Sequence, residues 1–233
     1  SIVAGGVMPG NMNITDGYEY SNPGYAALGI GTYMNNYGNK IYIPVDPLVL
    51  DLNGDGVKLT DYVSNPVMFD ADNDGKLEAT GWVSPQDGIL AVDRNANGKI
   101  DDISETLSEY YGGTAGTDGS GGTKPYANGF AALKSLDSNN DGVFNAGDTA
   151  WGSVKVWVDA NHDGKSWVDI DNDGVIDAWE TSELYTLAQL GITKINLTST
   201  AQSGKMLAGN EVLASGTFVQ NGVTKEAVAA NFL

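Results

Sequence analysis

The sequence contains no cysteine and a single histidine, and each absence removes a class of site. Without cysteine there is no disulfide, no thiolate metal ligand and no cysteine nucleophile. With His162 as the one histidine, a zinc site built from two histidines on one helix is impossible. Disulfide, thiol and histidine–zinc chemistry are therefore all excluded.

Basic residues and long apolar runs are also scarce. Twelve Lys and Arg stand against 30 Asp and Glu, which gives a net charge of −18. This balance argues against nucleic acid and anionic membranes as partners, and it suits cations. No apolar run could span a bilayer, and Ser1-Ile2-Val3 does not begin a signal peptide, which says nothing about secretion if the sequence starts inside a longer protein. With 233 residues, 41% of them hydrophobic, the chain can build a soluble core.

The acids are gathered in six Asp-rich loops, numbered here 1 to 6, that resemble the calcium loop of an EF-hand. That loop uses side chains at positions 1, 3 and 5, a backbone carbonyl at 7, often position 9, and a carboxylate at 12, with glycine at 6. The predicted calcium ligands are, from loop 1 to loop 6, Asp51, Asn53 and Asp55; Asp70, Asp72, Asp74, Lys76 and Glu78; Asp93, Asn95, Asn97, Lys99, Asp101 and Glu105; Asp137, Asn139, Asp141, Val143, Asn145 and Asp148; Asp159, Asn161, Asp163, Lys165 and Glu183; and Asp169, Asp171, Asp173, Val175, Asp177 and Glu180.

The six loops differ in how completely they match. Loop 6 matches at every position, loop 4 ends in Asp148, and in loop 3 the closing acid Glu105 comes one residue late. Loops 1 and 2 lack a local twelfth ligand, so we expect them to borrow one or to stay partly hydrated. Loop 5 could be closed by Glu183, with loop 6 inserted between. A single loop of this kind could equally be an Asx-Gly turn, but six in one chain favour metal.

Charge also favours calcium over a merely solvated acidic surface. Twenty of the 30 acids lie at the proposed ligand positions, and carboxylates so close together repel one another. Six calcium ions would add 12 positive charges and change −18 to −6. We therefore expect several ions, from four to six, and we expect calcium to drive folding.

The Asp46–Pro47 bond lies four residues before loop 1. An aspartate carboxylate can attack its own carbonyl carbon, form a cyclic anhydride and expel the proline nitrogen. A fold that holds this geometry could gain an effective molarity of about 10⁵ M or more, and it must also supply a proton to the nitrogen. An Asp-Pro pair by itself is commonly an inert turn, and only its position beside the calcium loops singles this one out.

Several segments resemble the self-processing module of FrpC-type repeat-in-toxin (RTX) proteins. The likeness covers about residues 46–200, apart from residues 167–181, which resemble an insertion carrying loop 6. The matching segments are Asp46 to Gly56, Ala79 to Ser84, Asp87 to Leu90, Ala131 to Leu133, loop 4, Val156-Trp157, Glu183-Leu184 and Leu190 to Ile192.

This resemblance implies calcium-triggered, autocatalytic cleavage, with Asp46 as the nucleophile and acyl donor and Pro47 as the leaving group. It implies that the new Asp46 carboxyl end can form an isopeptide bond with a lysine of an acceptor protein. It also implies a secreted toxin exported by type I secretion from a Gram-negative bacterium. Residues 1–46 would then be a flank that ends at the scissile bond, and 47–233 the module.

Two other functions fit the same loops. One is a non-catalytic calcium module that stiffens a secreted RTX toxin or adhesin. The other is a dockerin-like binding module, suggested by the 22-residue step from Asp137 to Asp159. A dockerin needs a helix after each loop, whereas Val154 to Val158 is typical of a strand, so we rank this alternative last.

Hydrophobic periodicity predicts an α+β fold in which short strands and a few helices are tied together by the EF-hand-like loops. Helices are expected around Phe130, Leu133 and Leu136 and around Leu184, Leu187 and Leu190. The glycine-rich segment from Tyr111 to Pro125 is expected to be a flexible surface linker. The predicted strands are Leu48–Leu50, Val67–Phe69, Ile89–Val92, Val154–Val158 and Ile192–Leu197, with a hairpin around Asn221-Gly222.

Overall fold

The computed structural model of the chain describes residues 32–34, 40–42, 46–117 and 120–232. Most of the predicted flank, 1–46, therefore lies outside the described residues. The strands are β1 (Thr32–Met34), β2 (Lys40–Tyr42), β3 (Leu48–Leu50), β4 (Leu59–Thr60), β5 (Val67–Phe69), β6 (Glu78–Thr80), β7 (Trp82–Val83), β8 (Gly88–Ala91), β9 (Val143–Asn145), β10 (Lys155–Trp157), β11 (Trp167–Val168), β12 (Thr181–Ser182), β13 (Leu184–Thr186), β14 (Ile192–Asn196), β15 (Thr200–Ala201), β16 (Met206–Leu207), β17 (Asn210–Gln220) and β18 (Val223–Asn231).

Ten of these strands form one antiparallel sheet. Eight of them follow the order β13-β10-β8-β3-β18-β17-β14-β9, and β15 and β16 also pair with β17. The long hairpin β17–β18 turns at Asn221-Gly222, where both residues have positive φ, so the predicted hairpin is confirmed. Strand β3 pairs with β18 on one side and β8 on the other. The residues that follow Pro47 are thus held in the middle of the sheet.

Strand β3 is buried on both faces of the sheet. Leu48, Val49 and Leu50 are fully buried. Val49 packs into a hydrophobic cluster that contains Trp82 and Trp157, while Leu48 and Leu50 belong to a second cluster on the opposite side. A strand covered on both faces has no solvent-facing position, which explains why its sequence is continuously apolar instead of alternating.

The predicted α+β class is wrong, because the regular secondary structure of the described chain is almost all β-strand. It contains one α-helix, α1 (Gly129–Lys134), and two single 3-10 turns at Ile103–Glu105 and Ala188–Leu190. Helix α1 begins at the Asn128 side chain, which accepts the Ala131 N–H, and it ends before Leu136. The first predicted helix is therefore real but shorter than its leucine spacing suggested.

The second predicted helix, at Leu184, Leu187 and Leu190, does not form. Leu184–Thr186 is strand β13, whose backbone pairs with β10 at the edge of the sheet. Leu187 is fully buried, and the chain then makes one 3-10 turn that stops at Gly191 with φ of 71°. Edge pairing satisfies the backbone groups that a helix would have satisfied internally, so the three-residue spacing did not identify a helix.

The glycine-rich segment from Tyr111 to Pro125 is not a detached linker where it is described. The Gly116 N–H donates to the Asn73 carbonyl and the Gly122 N–H to the Asp72 carbonyl, both at 2.7 Å. A Cβ on Gly122 would lie 2.6 Å from the Thr114 carbonyl oxygen, so glycine is needed for this close approach. The segment packs directly on loop 2.

None of the helices within the described ranges is long and apolar enough to cross a membrane.

Candidate metal centres and cleavage site

All six Asp-rich loops share one backbone conformation. In each loop a carboxylate oxygen of the position-1 aspartate accepts the N–H of the position-6 glycine, at 2.7 to 3.0 Å. The position-6 glycines have φ between 75° and 91°, and the position-4 residues also have positive φ, between 55° and 80°. The position-4 residues are Gly54, Asn73, Ala96, Asn140, His162 and Asn172. This repeated turn explains the glycine at position 6, since a left-handed conformation is strained for other residues.

Each loop is also closed in the same way, by a carboxylate that accepts the N–H of position 2. The donor–acceptor distances lie between 2.7 and 3.2 Å. In loops 1, 3, 4 and 6 the second oxygen accepts a further N–H at position 8 or 9. From loop 1 to loop 6 the closing residues are Asp87, Glu78, Glu105, Asp148, Glu183 and Glu180.

The closing residue of loop 1, Asp87, was missed from the sequence. Strand β8 pairs with β3 so that Gly88 lies opposite Leu50. Asp87 precedes Gly88 and Asp51 follows Leu50, so the antiparallel pairing brings the two carboxylates together. The signal available in the sequence was an aspartate two residues before the predicted strand Ile89–Val92, but the pairing of that strand with β3 depends on the tertiary fold.

Glu183 lies beside loop 5, although loop 6 separates them in the sequence. Its Oε2 accepts the Ala160 N–H at 2.9 Å, and its carboxylate lies with those of Asp159 and Asp163. Loop 6 sits between strands β11 and β12, which pair with each other, so it is inserted as a hairpin. The Lys165 carbonyl, a predicted ligand of loop 5, accepts the Trp157 indole N–H at 3.2 Å and keeps one lone pair for a further partner.

Four loops bring three or more carboxylates to within 4.8 Å of one another. The groups are Asp51, Asp55 and Asp87; Asp70, Asp72, Asp74 and Glu78; Asp159, Asp163 and Glu183; and, in loop 6, Asp169, Asp171 and Glu180 together with Asp171, Asp173 and Asp177. Loops 3 and 4 each carry three carboxylates, as loops 1 and 5 do, but theirs do not all come within 4.8 Å of one another. In loop 3 the side chains of Asn95 and Asn97 donate to Asp101, at 3.0 and 2.7 Å. Clustered oxygen ligands without nitrogen or sulfur fit a hard cation such as calcium.

The pKa values of the buried loop carboxyls show the charge that a cation would offset. Burial, followed by the charge of Asp72, raises the pKa of Glu78 to about 9. Burial raises the pKa of Glu183 and Glu105 to about 7, and of Asp70 and Asp87 to about 6. In each case backbone N–H donors oppose the rise without cancelling it. These carboxylates are short of positive charge, which a divalent ion would supply.

Lysine side chains provide some of that charge in two loops. The Lys58 ammonium pairs with Asp55, position 5 of loop 1. The Lys165 ammonium lies 2.5 Å from Oδ2 of Asp169, position 1 of loop 6, and its hydrogen bond holds the pKa of Asp169 below the usual value. A cation entering either loop would compete with an ammonium group for these oxygens.

The Asp46–Pro47 pair lies at the entrance of strand β3, and both residues are buried. Oδ1 of Asp46 accepts the Glu109 N–H at 2.9 Å, whereas the buried Oδ2 has no hydrogen-bond partner. Burial, helped by the charge of Glu109, raises the pKa of Asp46 to about 8. Beyond the bond, the Leu48 N–H donates to the Leu107 carbonyl at 2.9 Å. The chain is therefore anchored just beyond Pro47, while one oxygen of the buried Asp46 side chain is not held by a hydrogen bond.

Two charged residues beside this bond were not identified from the sequence. Glu109 is 7% exposed, and its carboxylate lies 3.3 Å from the Lys124 ammonium. Burial raises the pKa of Glu109 to about 7, and Lys124 opposes that rise. Lys124 also lies 5.0 Å from the centre of the Tyr110 ring. Neither residue belongs to a motif, so no pattern in the sequence pointed to them.

Loop 2 is in contact with the segment that carries these residues. A Cβ on Gly121 would lie 3.1 Å from the Asp72 carbonyl oxygen and 3.2 Å from the Tyr110 hydroxyl. The Ile103 N–H donates to the Asp70 carbonyl at 3.1 Å. The backbone of loop 2 thus contacts the chain on both sides of the turn that contains Glu109, at Ile103 before it and at Gly121 after it.

The chain is similar to one known domain family and to a bacterial protein. Residues 48–166 match the model of the SPM domain. The chain is also similar to the iron-regulated protein FrpA of Neisseria meningitidis serogroup C, with 36% identity over 180 residues. That alignment covers 77% of this chain and 14% of FrpA, so the chain spans about a seventh of the relative's length.

Proposed function

This chain belongs to the SPM domain family, and from that premise we propose that it cleaves its own backbone between Asp46 and Pro47 when calcium binds. The observation that carries the proposal is the environment of Asp46. Its carboxylate is fully buried, one oxygen is held by the Glu109 N–H, and the other has no hydrogen-bond partner. Such a carboxylate is desolvated and positioned beside a bond that β3 anchors.

The proposed step is an intramolecular acyl transfer. Oδ2 of Asp46 attacks the carbonyl carbon of the same residue, a C–O bond forms, and the C–N bond to Pro47 breaks. The proline nitrogen takes a proton and leaves as a secondary amine, while Asp46 becomes a five-membered cyclic anhydride. Water would open this anhydride to a free carboxyl end. The ε-amine of a lysine on an acceptor protein would open it to an isopeptide bond.

Calcium would act as the trigger through the six loops. Their oxygen-only ligand sets and raised carboxyl pKa values fit a hard divalent cation, and four to six ions would be held by the residues predicted from the sequence together with Asp87. Bound calcium supplies positive charge to these loops. Loop 1 follows β3 directly, and loop 2 contacts the segments before and after the turn of Glu109, so ordering these loops would help to fix the chain around Asp46.

The parent protein is then expected to be a secreted RTX protein of a Gram-negative bacterium, exported by type I secretion and acting as a toxin. Calcium modules outside the cell bind at about 10⁻⁴–10⁻³ M. A module of that affinity would remain open in the cytosol and close after export, so cleavage would take place outside the cell.

Intact mass spectrometry of the purified chain tests this function. We expect one species in chelator and, in millimolar calcium, a fragment ending at Asp46 and a fragment beginning at Pro47. Asp46→Ala should remain whole, because the nucleophile is gone. Asp61→Asn, which removes an aspartate outside the six loops, should cleave like the wild type. A wild-type chain that binds calcium and stays whole for days would instead favour a non-catalytic calcium module.

A further inference from the structure

Residues 107–109 run alongside the scissile bond. The Leu48 N–H donates to the Leu107 carbonyl, and the Glu109 N–H donates to Oδ1 of Asp46, both at 2.9 Å. These two contacts bracket Pro47 between them. Glu109 is held in turn by the Tyr126 N–H, which donates to its carbonyl at 3.2 Å. The Glu109 main chain therefore contacts the Asp46 carboxylate, and its buried side chain is close enough for its charge to help raise the pKa of Asp46.

We propose that Glu109 is the acid that protonates the Pro47 nitrogen as the bond breaks; this inference rests on the proposed self-cleavage. In the step, the Asp46 carboxylate forms its new C–O bond while the C–N bond opens. The proton moves from the Glu109 carboxyl group to the departing nitrogen. The products are the Asp46 anhydride, a neutral proline amine and a Glu109 carboxylate, so one negative charge is present before and after the step.

Lys124 is placed to stabilise the carboxylate that Glu109 becomes. Its ammonium lies 3.3 Å from Oε1 of Glu109 and 5.0 Å from the centre of the Tyr110 ring, which helps to hold it there. A carboxylate formed in a buried site without a cation would be costly. The ammonium offsets that cost after the proton has left, and we regard Lys124 as a positioning residue.

The charged groups facing Glu109 define the pH dependence. They are Asp46 and Lys124, with the Tyr110 hydroxyl and Asp72 beyond them. The reactive state needs Asp46 ionised and Glu109 protonated, so the pair must hold a single proton. The cleavage rate should rise as the first proton leaves the pair and fall as the second leaves, which gives a bell-shaped profile. Burial raises both pKa values, so the maximum should lie near neutral pH.

The test compares cleavage rates of the whole chain in saturating calcium between pH 5 and 9, followed by intact mass. Glu109→Gln should be slower than the wild type by about 100-fold or more at the optimum, the range for a lost general acid. It should also lose the alkaline fall in rate, because no acid remains to be deprotonated. Glu109→Asp should keep the bell shape at an intermediate rate. Glu211→Gln, which removes a carboxylate from β17, is the matched control and should cleave like the wild type.

Calcium titration and circular dichroism should show that these variants still bind calcium and fold. A well-folded Glu109→Gln within threefold of the wild-type rate, with the bell intact, would overturn the inference and leave the cleavage standing. If the wild type does not cut, the proposed function itself fails. Should Glu109→Gln not fold, Lys124→Gln is the deciding variant. Both the acid side and the alkaline side of its pH–rate profile should move to higher pH. A profile at the same pH as that of the wild type would overturn the inference.

Discussion

The six loops share a backbone but fall into two groups according to where their closing carboxylate comes from. In loops 4 and 6 the bond that closes the loop joins residues 10 apart in the sequence, and in loops 2 and 3 it joins residues 7 and 11 apart. In loop 1 the corresponding bond, from Leu52 to Asp87, spans 35 residues, and in loop 5, from Ala160 to Glu183, it spans 23. Loops 4 and 6 can close as soon as their own residues are in place. Loops 1 and 5 can close only when β3 has paired with β8 and β10 with β13.

Closure of loops 4 and 6 therefore depends only on nearby residues, whereas closure of loops 1 and 5 depends on the assembled sheet. A cation in loop 1 or loop 5 would tie together segments far apart in the chain, and closing a longer segment constrains the unfolded chain more. Such a cation stabilises the sheet itself, including β3 next to the Asp46–Pro47 bond. We therefore expect loops 1 and 5 to control cleavage and loops 4 and 6 to add mainly local order.

The largest expected effect is on the calcium requirement for cleavage, compared between two variants that each lose one closing carboxylate, one variant from each group of loops. Asp87→Asn should raise the calcium concentration for half-maximal cleavage at least tenfold, because it weakens the loop that follows β3. Glu180→Gln, the matched change in loop 6, should raise it less than threefold. Cleavage measured by gel against buffered free calcium checks both. Equal shifts in the two variants would abolish the distinction between the groups.

A smaller effect, on the melting temperature of a Glu183 variant, should have opposite signs in chelator and in calcium. Burial raises the pKa of Glu183 from its ordinary 4.5 to about 7 in the metal-free fold. A raised carboxyl pKa means that the fold favours the protonated form, so this group's contribution to stability is lost as pH rises from about 4.5 to 7. In chelator, Glu183→Gln should thus melt a few degrees above the wild type at pH 8 and at the same temperature at pH 4.

In calcium the wild type should instead melt at a higher temperature than Glu183→Gln, because its carboxylate would hold the ion and glutamine would not. Glu211→Gln is the control for loss of a carboxylate elsewhere in the sheet, and thermal melts followed by circular dichroism give the readout. If Glu183→Gln is less stable than the wild type at pH 8 in both chelator and calcium, the Glu183 carboxylate does not destabilise the metal-free fold, and this prediction is wrong.

The smallest effect concerns the backbone that both groups share. Ala96 holds position 4 of loop 3 with φ of 56°, where a Cβ is strained. Ala96→Gly should stabilise the protein by about 0.5 kcal/mol, after allowing for the greater freedom of glycine in the unfolded chain. That corresponds to about 1–2 °C in the melting temperature. Ala79→Gly in β6, where no such strain exists, should lower it. A loss of stability at both positions would mean that the turn is relaxed with alanine.

The parts that the sequence predicted correctly are those encoded by short-range spacing. The family prediction is confirmed by the matches to the SPM domain and to FrpA. The hairpin at Asn221-Gly222 and strand β3 are also confirmed, since turn chemistry and a continuous apolar run are local signals. The predicted ligands in loops 2 and 6 lie together in the structure, while their binding of calcium stays a prediction.

The parts that failed depend on pairing across the chain. The leucines from Leu184 to Leu190 have a helix-like spacing, but β10 offered that segment a strand partner. Asp87 and Glu109 could be recognised as site residues only once the structure showed that β8 and the turn at 107–109 lie next to β3. Periodicity reports which side of an element is apolar, and it does not report which distant element will cover that side.

The position of β18 sets the order of events during synthesis. Leu48, the residue after Pro47, pairs with Ala229, and the Pro47 carbonyl accepts the Ala230 N–H. A ribosome delivers the Asp-Pro pair long before these partners, so a nascent chain has nothing to clamp the bond against. If the chain cleaves itself as proposed, the cut requires both translation past residue 230 and arrival in a calcium-rich compartment. A prematurely terminated chain should then keep its N-terminal portion attached.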